Sequence, residues 1–448
     1  VASPSEATDP LIQELPWHDP SHALPLLHDH PWGTMLDSGG EDTTDRARWS
    51  WVCFSPSDTL IVTGTQVEHN GHVVSDDAWT ALHKMQRPPS PAERILQAQT
   101  HIPFTGGLIG IASYEAGLRL EGLHSRHTQR APELIAARFH NILAFDRLTQ
   151  RCWWISHNRT PPPPIPAIVI PPTCPKLTFT ADFTREEWIK AVETIRQHIS
   201  QGDIFQANLT TRYTAPLPPS FDEIGAYAQL RQSSPAPFSA YFKSPPLSLL
   251  SASVERFLAL SASGAVETRP IKGTAPATDN ITHTAELLKA DTKENAENLM
   301  ITDLMRHDLG RICTLGSINV PQLCGVERFA HVLHLVSSVR GQLPAHLSAA
   351  NLLQATLPPG SVTGAPKHKA LQLIDQIERS SRGAYCGTVF RIGHDGSMDS
   401  SVIIRSAERS AGRLTIGAGG GITWPSDPAK EYDETTLKAA ALLRSFSA

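Results

Sequence analysis

TREEWIKAVETIRQHISQGDIFQANLTTRY, residues 184–213, carries the clearest local signals in the chain. Thr184 stands three residues before Glu187, the spacing of a capping box in which each side chain satisfies a backbone N–H of the other residue. Trp188, Val192, Ile195 and Ile199 recur at the helical period as one apolar stripe, and Gly202 marks the stop. The run from Ile204 to Tyr213 reads as a strand. Downstream, strands are expected at Ser248–Ser251, Phe257–Ser261, Val332–Val339, Thr388–Ile392, Val402–Ala407 and Leu414–Gly417. Helices are expected from Asp291 to Leu309, from Pro366 to Arg379 and from Pro428 to Phe446. Strands in succession, without a regular strand–helix–strand rhythm, predict an α+β fold with large antiparallel sheets.

Upstream of this region lies TPPPPIPAIVIPPTCP, residues 160–175. Its four successive prolines fit neither a helix nor a central strand, so the stretch reads as an extended connector. It divides residues 1–160, an N-terminal subdomain, from residues 177–448, with 161–176 between. In the N-terminal part, Trp49–Phe54 and Leu60–Thr63 read as strands and Ala92 to Gln99 as part of a helix. The segments Asn141–Phe145 and Arg151–Ile155 read as a hairpin.

The 448 residues are 40% hydrophobic and 19% charged, ordinary for a globular chain. A net charge of −5 argues against a nucleic-acid binder, which needs a basic face. No apolar run approaches the ~18 residues of a membrane span. The opening VASPSEATDP has no basic stretch and no apolar core, so no secretory signal is expected. Six scattered cysteines with no CxxC pair predict buried small hydrophobes rather than a zinc site or redox dithiol, and a cytoplasmic setting.

Two helices carry carboxylates on or beside their apolar stripes. Behind an Asp291-x-x-Glu294 cap, Glu297, Ile301, Leu304 and Asp308 recur on one face. In the last helix, capped by Asp427 with Pro428 at its first position, Glu431, Glu434 and Lys438 share a face with Leu442. These are either solvated faces, with Glu434–Lys438 an ordinary i,i+4 pair, or two helices facing each other around a cation. Carboxylates ~4 Å apart repel by about 4 kcal/mol at an effective dielectric near 20. A buried cluster therefore needs a counter-ion, and oxygen-only donors point to Mg²⁺.

The glycine run Gly417–Gly421 opens no helix and so fails as a dinucleotide fingerprint, and Pro358–Lys367 lacks the spacing of a P-loop. Both read as loops, either plain tight turns or backbone cradles for a small anion. Lys272, in Arg269-Pro-Ile-Lys-Gly-Thr, reads as a turn lysine. It is a surface charge unless desolvation leaves its amine neutral enough to attack.

From Phe183 onward these segments resemble, in order, the chorismate-utilising enzymes, and within them the type that makes aminodeoxychorismate. The matching stretches are Asp203-Ile-Phe-Gln-Ala-Asn, Ser253-Val-Glu-Arg-Phe, Arg269-Pro-Ile-Lys-Gly-Thr, Glu297-Asn-Leu-Met-Ile-Thr-Asp-Leu and His334-Leu-Val-Ser. Further along come Pro359-Gly-Ser-Val-Thr-Gly-Ala-Pro-Lys, Arg382-Gly-Ala-Tyr-Cys-Gly, Ile403-Ile-Arg-Ser and the Gly417 run with Lys430-Glu-Tyr-Asp-Glu. The resemblance implies the fold of anthranilate synthase component I, in which antiparallel sheets pack as a sandwich with helices outside.

It also implies site roles. Glu297 and Glu434, with Glu294 and Glu431 nearby, would hold Mg²⁺ on the ring carboxylate of chorismate. Tyr385, Arg405 and the N–H groups of Gly419, Gly420 and Gly421 would bind the enolpyruvyl carboxylate. His334 and Ser361 would line the ring pocket, and Thr274 and Lys438 would complete the substrate contacts. Gln206 stands where isochorismate-forming members carry a lysine base. Lys272 stands where anthranilate-forming members carry alanine, so the resemblance implies a lysine nucleophile, Glu255 as general acid, and ammonia from a glutamine amidotransferase partner. The alternative is anthranilate synthase component I. His307, Val254 and Phe390-Arg391 depart from the family pattern and are expected near the pocket wall or its support.

Overall fold

The capping box forms as read. Glu187 N donates to Thr184 Oγ1 at 3.3 Å and Thr184 N to Glu187 Oε2 at 2.9 Å. They open the helix Arg185–Ser200, which buries Trp188, Val192 and Ile195. The chain leaves it through Gly202 at φ +80°, a left-handed conformation that glycine adopts without steric cost. The next strand is Gln206–Pro216. The computed structural model describes residues 10–447 apart from 40–46, 87–89, 92, 95–99, 130, 168, 170–174, 277–279 and 330–331. Most of the helix expected at Ala92 to Gln99 therefore lies outside the described residues.

The architecture is α+β: among the described residues, two twelve-stranded sheets, antiparallel at the pairings that build the site, with helices packed against them. The Pro-rich connector does not separate two cores. Phe238–Lys243 pairs with Gly33–Asp37, setting Tyr241 opposite Met35, and Thr388–Gly393 pairs with Gly107–Ala112, setting Phe390 opposite Gly110. Residues 1–160 and 177–448 thus share both sheets. One apolar cluster joins Phe145 and Trp154 to Tyr227, Leu250 and Phe446. Each part covers strand edges and apolar faces that the other would otherwise leave bare.

Two local expectations are corrected. Val402–Ala407 is not one strand: Met398–Val402 belongs to one sheet and Ser406–Ser410 to the other. The chain crosses between them through Arg405, at φ +50°. A strand period cannot reveal such a break, because the residues on both sides remain extended. The Gly417–Gly421 run is not a loop but the end of the strand Arg413–Ile422, with Gly419 opposite Thr210 and Gly421 opposite Asn208. Glycine serves there because neighbours press against the backbone. A Cβ on Gly417 would lie 2.2 Å from the Tyr385 ring.

Among the described residues, no helix is long and apolar enough to cross a membrane.

Candidate active site

Lys272 lies in a strand, Ile271–Pro276, rather than in a turn. The strand pairs with Val332–Gln342, and its register slips between Lys272 and Thr274. Gly273, at φ +71°, takes up the bulge. Its carbonyl lies 3.4 Å from His334 Nδ1. Thr274 stands opposite His334, and its side chain lies outside the described residues.

The helix Thr292–Gly310 packs on this strand pair. Asp291 caps it, accepting from Glu294 N at 3.0 Å, and buried Asn298 donates to Leu335 O at 3.1 Å. This docking sets Glu297 Oε2 3.7 Å from Lys272 Nζ, with Lys293 Nζ 3.9 Å from Glu297 Oε1. Glu294 lies beside the bulge, its Oε2 3.3 Å from where a Cβ of Gly273 would stand. Asp308, on the same stripe, does not join them. It is buried against Lys367 at 2.7 Å.

The helix Pro428–Ser447 lies on the glycine strand. Lys438 Nζ donates to Gly419 O at 3.3 Å and pairs with Glu434 at 2.7 Å; Glu431 accepts from Ser426 Oγ at 2.7 Å. Successive glycines look both ways. A Cβ on Gly420 would approach Glu431 Oε2 at 3.5 Å and Lys438 Nζ at 3.7 Å. One on Gly421 would meet Gln206 Nε2 at 2.3 Å and Lys272 Nζ at 3.6 Å. The strand is therefore the seam at which the residues expected from distant segments meet. Its pairing with Ser406–Ser410 ends at Ile416, and beyond that point, among the described residues, it pairs through its other edge.

Glu255 lies where the chain passes from the strand Ser248–Ser253 in one sheet to Arg256–Leu260 in the other. Burial raises its pKa, against the opposing pull of the Ser361 hydroxyl and the Lys272 charge. The buried Ser361 hydroxyl is turned to Glu255, and buried Gln206 Oε1 has no hydrogen-bond partner among the described residues. Gln206 Oε1 is thus left for a bound molecule to satisfy. Burial also lowers the pKa of His334, and the neighbouring Arg405 charge adds to this despite the Gly273 carbonyl. Arg405 is exposed, yet enough protein surrounds its guanidinium to pull its pKa down. The Tyr385 ring covers Gly417 and lines a cavity with Asp182, Arg212, Arg382 and Glu408.

The acids have the oxygen-only donor chemistry of a Mg²⁺ site, and on each helix the charged form of one is disfavoured. Burial, with Glu297 beside it, raises the pKa of Glu294; burial, with Glu434 beside it, raises that of Glu431 although Ser426 opposes. Burial pushes Glu434 the same way, but Lys438, Lys293 and Lys272 together hold it below the usual range. Lys293, which the sequence reading passed over, therefore works on carboxylates from both helices. Its only sequence signal is its place four residues before Glu297. The four glutamates stand further apart than a closed ligand set: among the described residues, only His140, His157 and His394 bring donor atoms within 4.8 Å of one another. Of the departures from pattern, His307 is exposed on its helix, and Phe390 is buried in the core cluster that also holds Ile301 and Leu258.

The sequence pattern of the chorismate binding enzymes matches residues 36–444. Aminodeoxychorismate synthase component 1 of Klebsiella aerogenes is 36% identical over 97% of this chain and 98% of its own length. The protein of the same name from Escherichia coli K12 is 34% identical over 92% and 93%. Anthranilate synthase component I from Streptococcus pneumoniae TIGR4 superposes with a TM-score of 0.77 at 28% identity, covering 89% of this chain and 92% of that one. The residues gathered around Lys272 thus sit in a fold and sequence shared with these proteins, and the chain belongs to the chorismate binding enzyme family.

Proposed function

We propose that the chain is the chorismate-aminating component of an aminodeoxychorismate synthase, forming 4-amino-4-deoxychorismate from chorismate and ammonia on the route to 4-aminobenzoate and folate. The observation that carries this reading is the position of Lys272. Its amine is largely enclosed, 3.7 Å from Glu297 and close enough to Glu255 to oppose the rise that burial gives that carboxyl's pKa. A lysine so placed can act as a nucleophile with an acid beside it.

In the proposed reaction the neutral Lys272 amine adds to ring C2, both ring double bonds shift, and the C4–O bond breaks in the same step. The C4 hydroxyl departs as water, taking a proton from Glu255. Ammonia adds at C4, both double bonds shift back, and the lysine leaves as the neutral amine. The ammonium at C4 returns a proton to Glu255, so chorismate and ammonia become aminodeoxychorismate and water. Burial keeps Glu255 protonated further up the pH scale than an ordinary glutamate, which suits a general acid. Arg405 would fork onto a substrate carboxylate, His334 and Ser361 would face the ring, and Gln206 Oε1 would accept a hydrogen bond from the incoming nitrogen.

Glu297 and Glu434, with Glu294 and Glu431, would hold Mg²⁺, which when bound supplies charge neutralisation for the ring carboxylate and orients the substrate. Component 1 in the relatives' names implies a second component, and a glutamine amidotransferase in the cytoplasm supplying ammonia is the partner proposed here.

The test is product analysis. The purified chain with chorismate, Mg²⁺ and ammonium yields aminodeoxychorismate, read by mass spectrometry or as 4-aminobenzoate after a lyase is added. Lys272→Ala abolishes turnover while the circular dichroism spectrum stays unchanged. Anthranilate as the main product, or full activity in Lys272→Ala, overturns the proposal.

A further inference from the structure

Away from the lysine site, four chemistry-bearing side chains from separate segments converge at one end of the two sheets. His140 is the single residue between the strands Leu134–Phe139 and Asn141–Asp146, where the chain passes from one sheet to the other. His157 follows the strand Arg151–Ser156, and His394 follows Thr388–Gly393. Backbone bonds fix their places: His157 N donates to His140 O at 3.0 Å and His394 N to Gly106 O at 3.1 Å. The three imidazoles bring one nitrogen each within 4.8 Å of the others. The buried Glu93 carboxylate adds an oxygen 3.5 Å from His157 Nδ1 and 3.5 Å from His394 Nε2.

These separations approach those of a metal's donors. A tetrahedral zinc ion with bonds of ~2.05 Å holds its donor atoms about 3.3 Å apart. Glu93 Oε1 is within a few tenths of an ångström of that spacing from His157 Nδ1 and from His394 Nε2, while the three imidazoles bring their nitrogens within 4.8 Å of one another. The outer contacts select the donor atoms. His157 Nε2 lies 2.6 Å from the Thr105 carbonyl. A carbonyl only accepts, so this nitrogen carries the hydrogen and the ring's lone pair falls on Nδ1, the atom that faces Glu93. Gly106 makes the approach possible, because a Cβ there would lie 2.6 Å from His394 Nε2 and 2.9 Å from His157 Nε2. His394 and Glu93 are 4% and 3% exposed, so these groups meet out of bulk water. Glu93 Oε2 accepts from Ser90 N at 2.7 Å, which leaves Oε1 as the oxygen turned to the histidines. His394 also lines a cleft with Gly107, Arg138 and Ser263, a route by which an ion can enter.

We propose that His140, His157, His394 and Glu93 bind a zinc ion in a closed, four-coordinate structural site, separate from the lysine site. The ion ties the segment around Glu93 to the ends of three strands. No catalytic step passes through it.

The test is metal binding by the full-length chain, stripped with a chelator and then titrated with zinc sulfate against a chromogenic competitor. We expect one zinc per chain at micromolar or tighter affinity, undisturbed by millimolar Mg²⁺, with a cobalt(II)-loaded form showing the intense visible bands of tetrahedral coordination. His157→Ala and His394→Ala each weaken zinc binding by about 100-fold or more, while Mg²⁺-dependent activity at the lysine site persists. If the wild-type chain takes up no zinc at micromolar free metal, the proposal fails without reference to any variant. Undiminished zinc binding in a folded double variant lacking both histidines also overturns it.

Discussion

Lys367→Met removes one half of a buried ion pair that anchors the Ser361 turn. Lys367 and Asp308 side chains are 6% and 2% exposed. The ammonium donates to Asp308 Oδ2 at 2.7 Å and to the carbonyls of Thr356 and Pro358 at 3.0 Å each, which uses all three of its hydrogens. Methionine fills similar space but leaves a buried carboxylate and two carbonyls uncompensated. Such a loss costs about 3–5 kcal/mol. With an unfolding entropy of about 2.1 cal/mol/K per residue, a chain of this length loses roughly 1 °C of Tm per kcal/mol, so the expected fall is about 3–5 °C.

The deficit depends on pH. Burial already raises the Asp308 pKa against the opposing Lys367 charge, and losing that charge raises it further. In the variant the folded state therefore binds a proton that the unfolded chain has released, so stability falls as pH rises between the unfolded and folded pKa values. The deficit is larger at pH 8 than at pH 5.5. Denaturant melts of the wild type, Lys367→Met and the double variant Lys367→Met/Asp308→Asn at both pH values measure this. The double variant recovers part of the loss at pH 8. A single variant within about 1 kcal/mol of the wild type at pH 8, or a deficit that grows on acidification, refutes the reasoning.

Gly421→Ala sets a methyl 2.3 Å from Nε2 of buried Gln206, so the amide must shift. Overpacking of this kind costs about 1–3 kcal/mol, and steady-state kinetics should show kcat falling along with Tm. Glu255→Gln is expected to lower kcat by about 10²–10⁴-fold with an unchanged melt. In the wild type, activity that needs protonated Glu255 declines as pH rises through its raised pKa, and the alkaline limb of the kcat profile reports this.

The sequence alone determined what neighbours along the chain decide. The capping box at Thr184, the stripe behind it, the Asp291 and Asp427 caps and the helices carrying Glu297 and Glu434 all formed as read, because their signals lie within a turn or two of each residue. The ordered motifs also marked which side chains to gather. What the sequence could not decide were matters of contact between distant segments. Whether Gly417–Gly421 was loop or strand depended on Asn208 and Thr210 across the sheet, and the break at Arg405 depended on two sheets needing the chain in turn. The sharing of strands across the proline connector, the pairing of Asp308 with Lys367, the reach of Lys293 to both acidic helices and the meeting of three histidines left no local trace. Apolar burial and charge pairing act through space, so only the folded chain brings those partners within range.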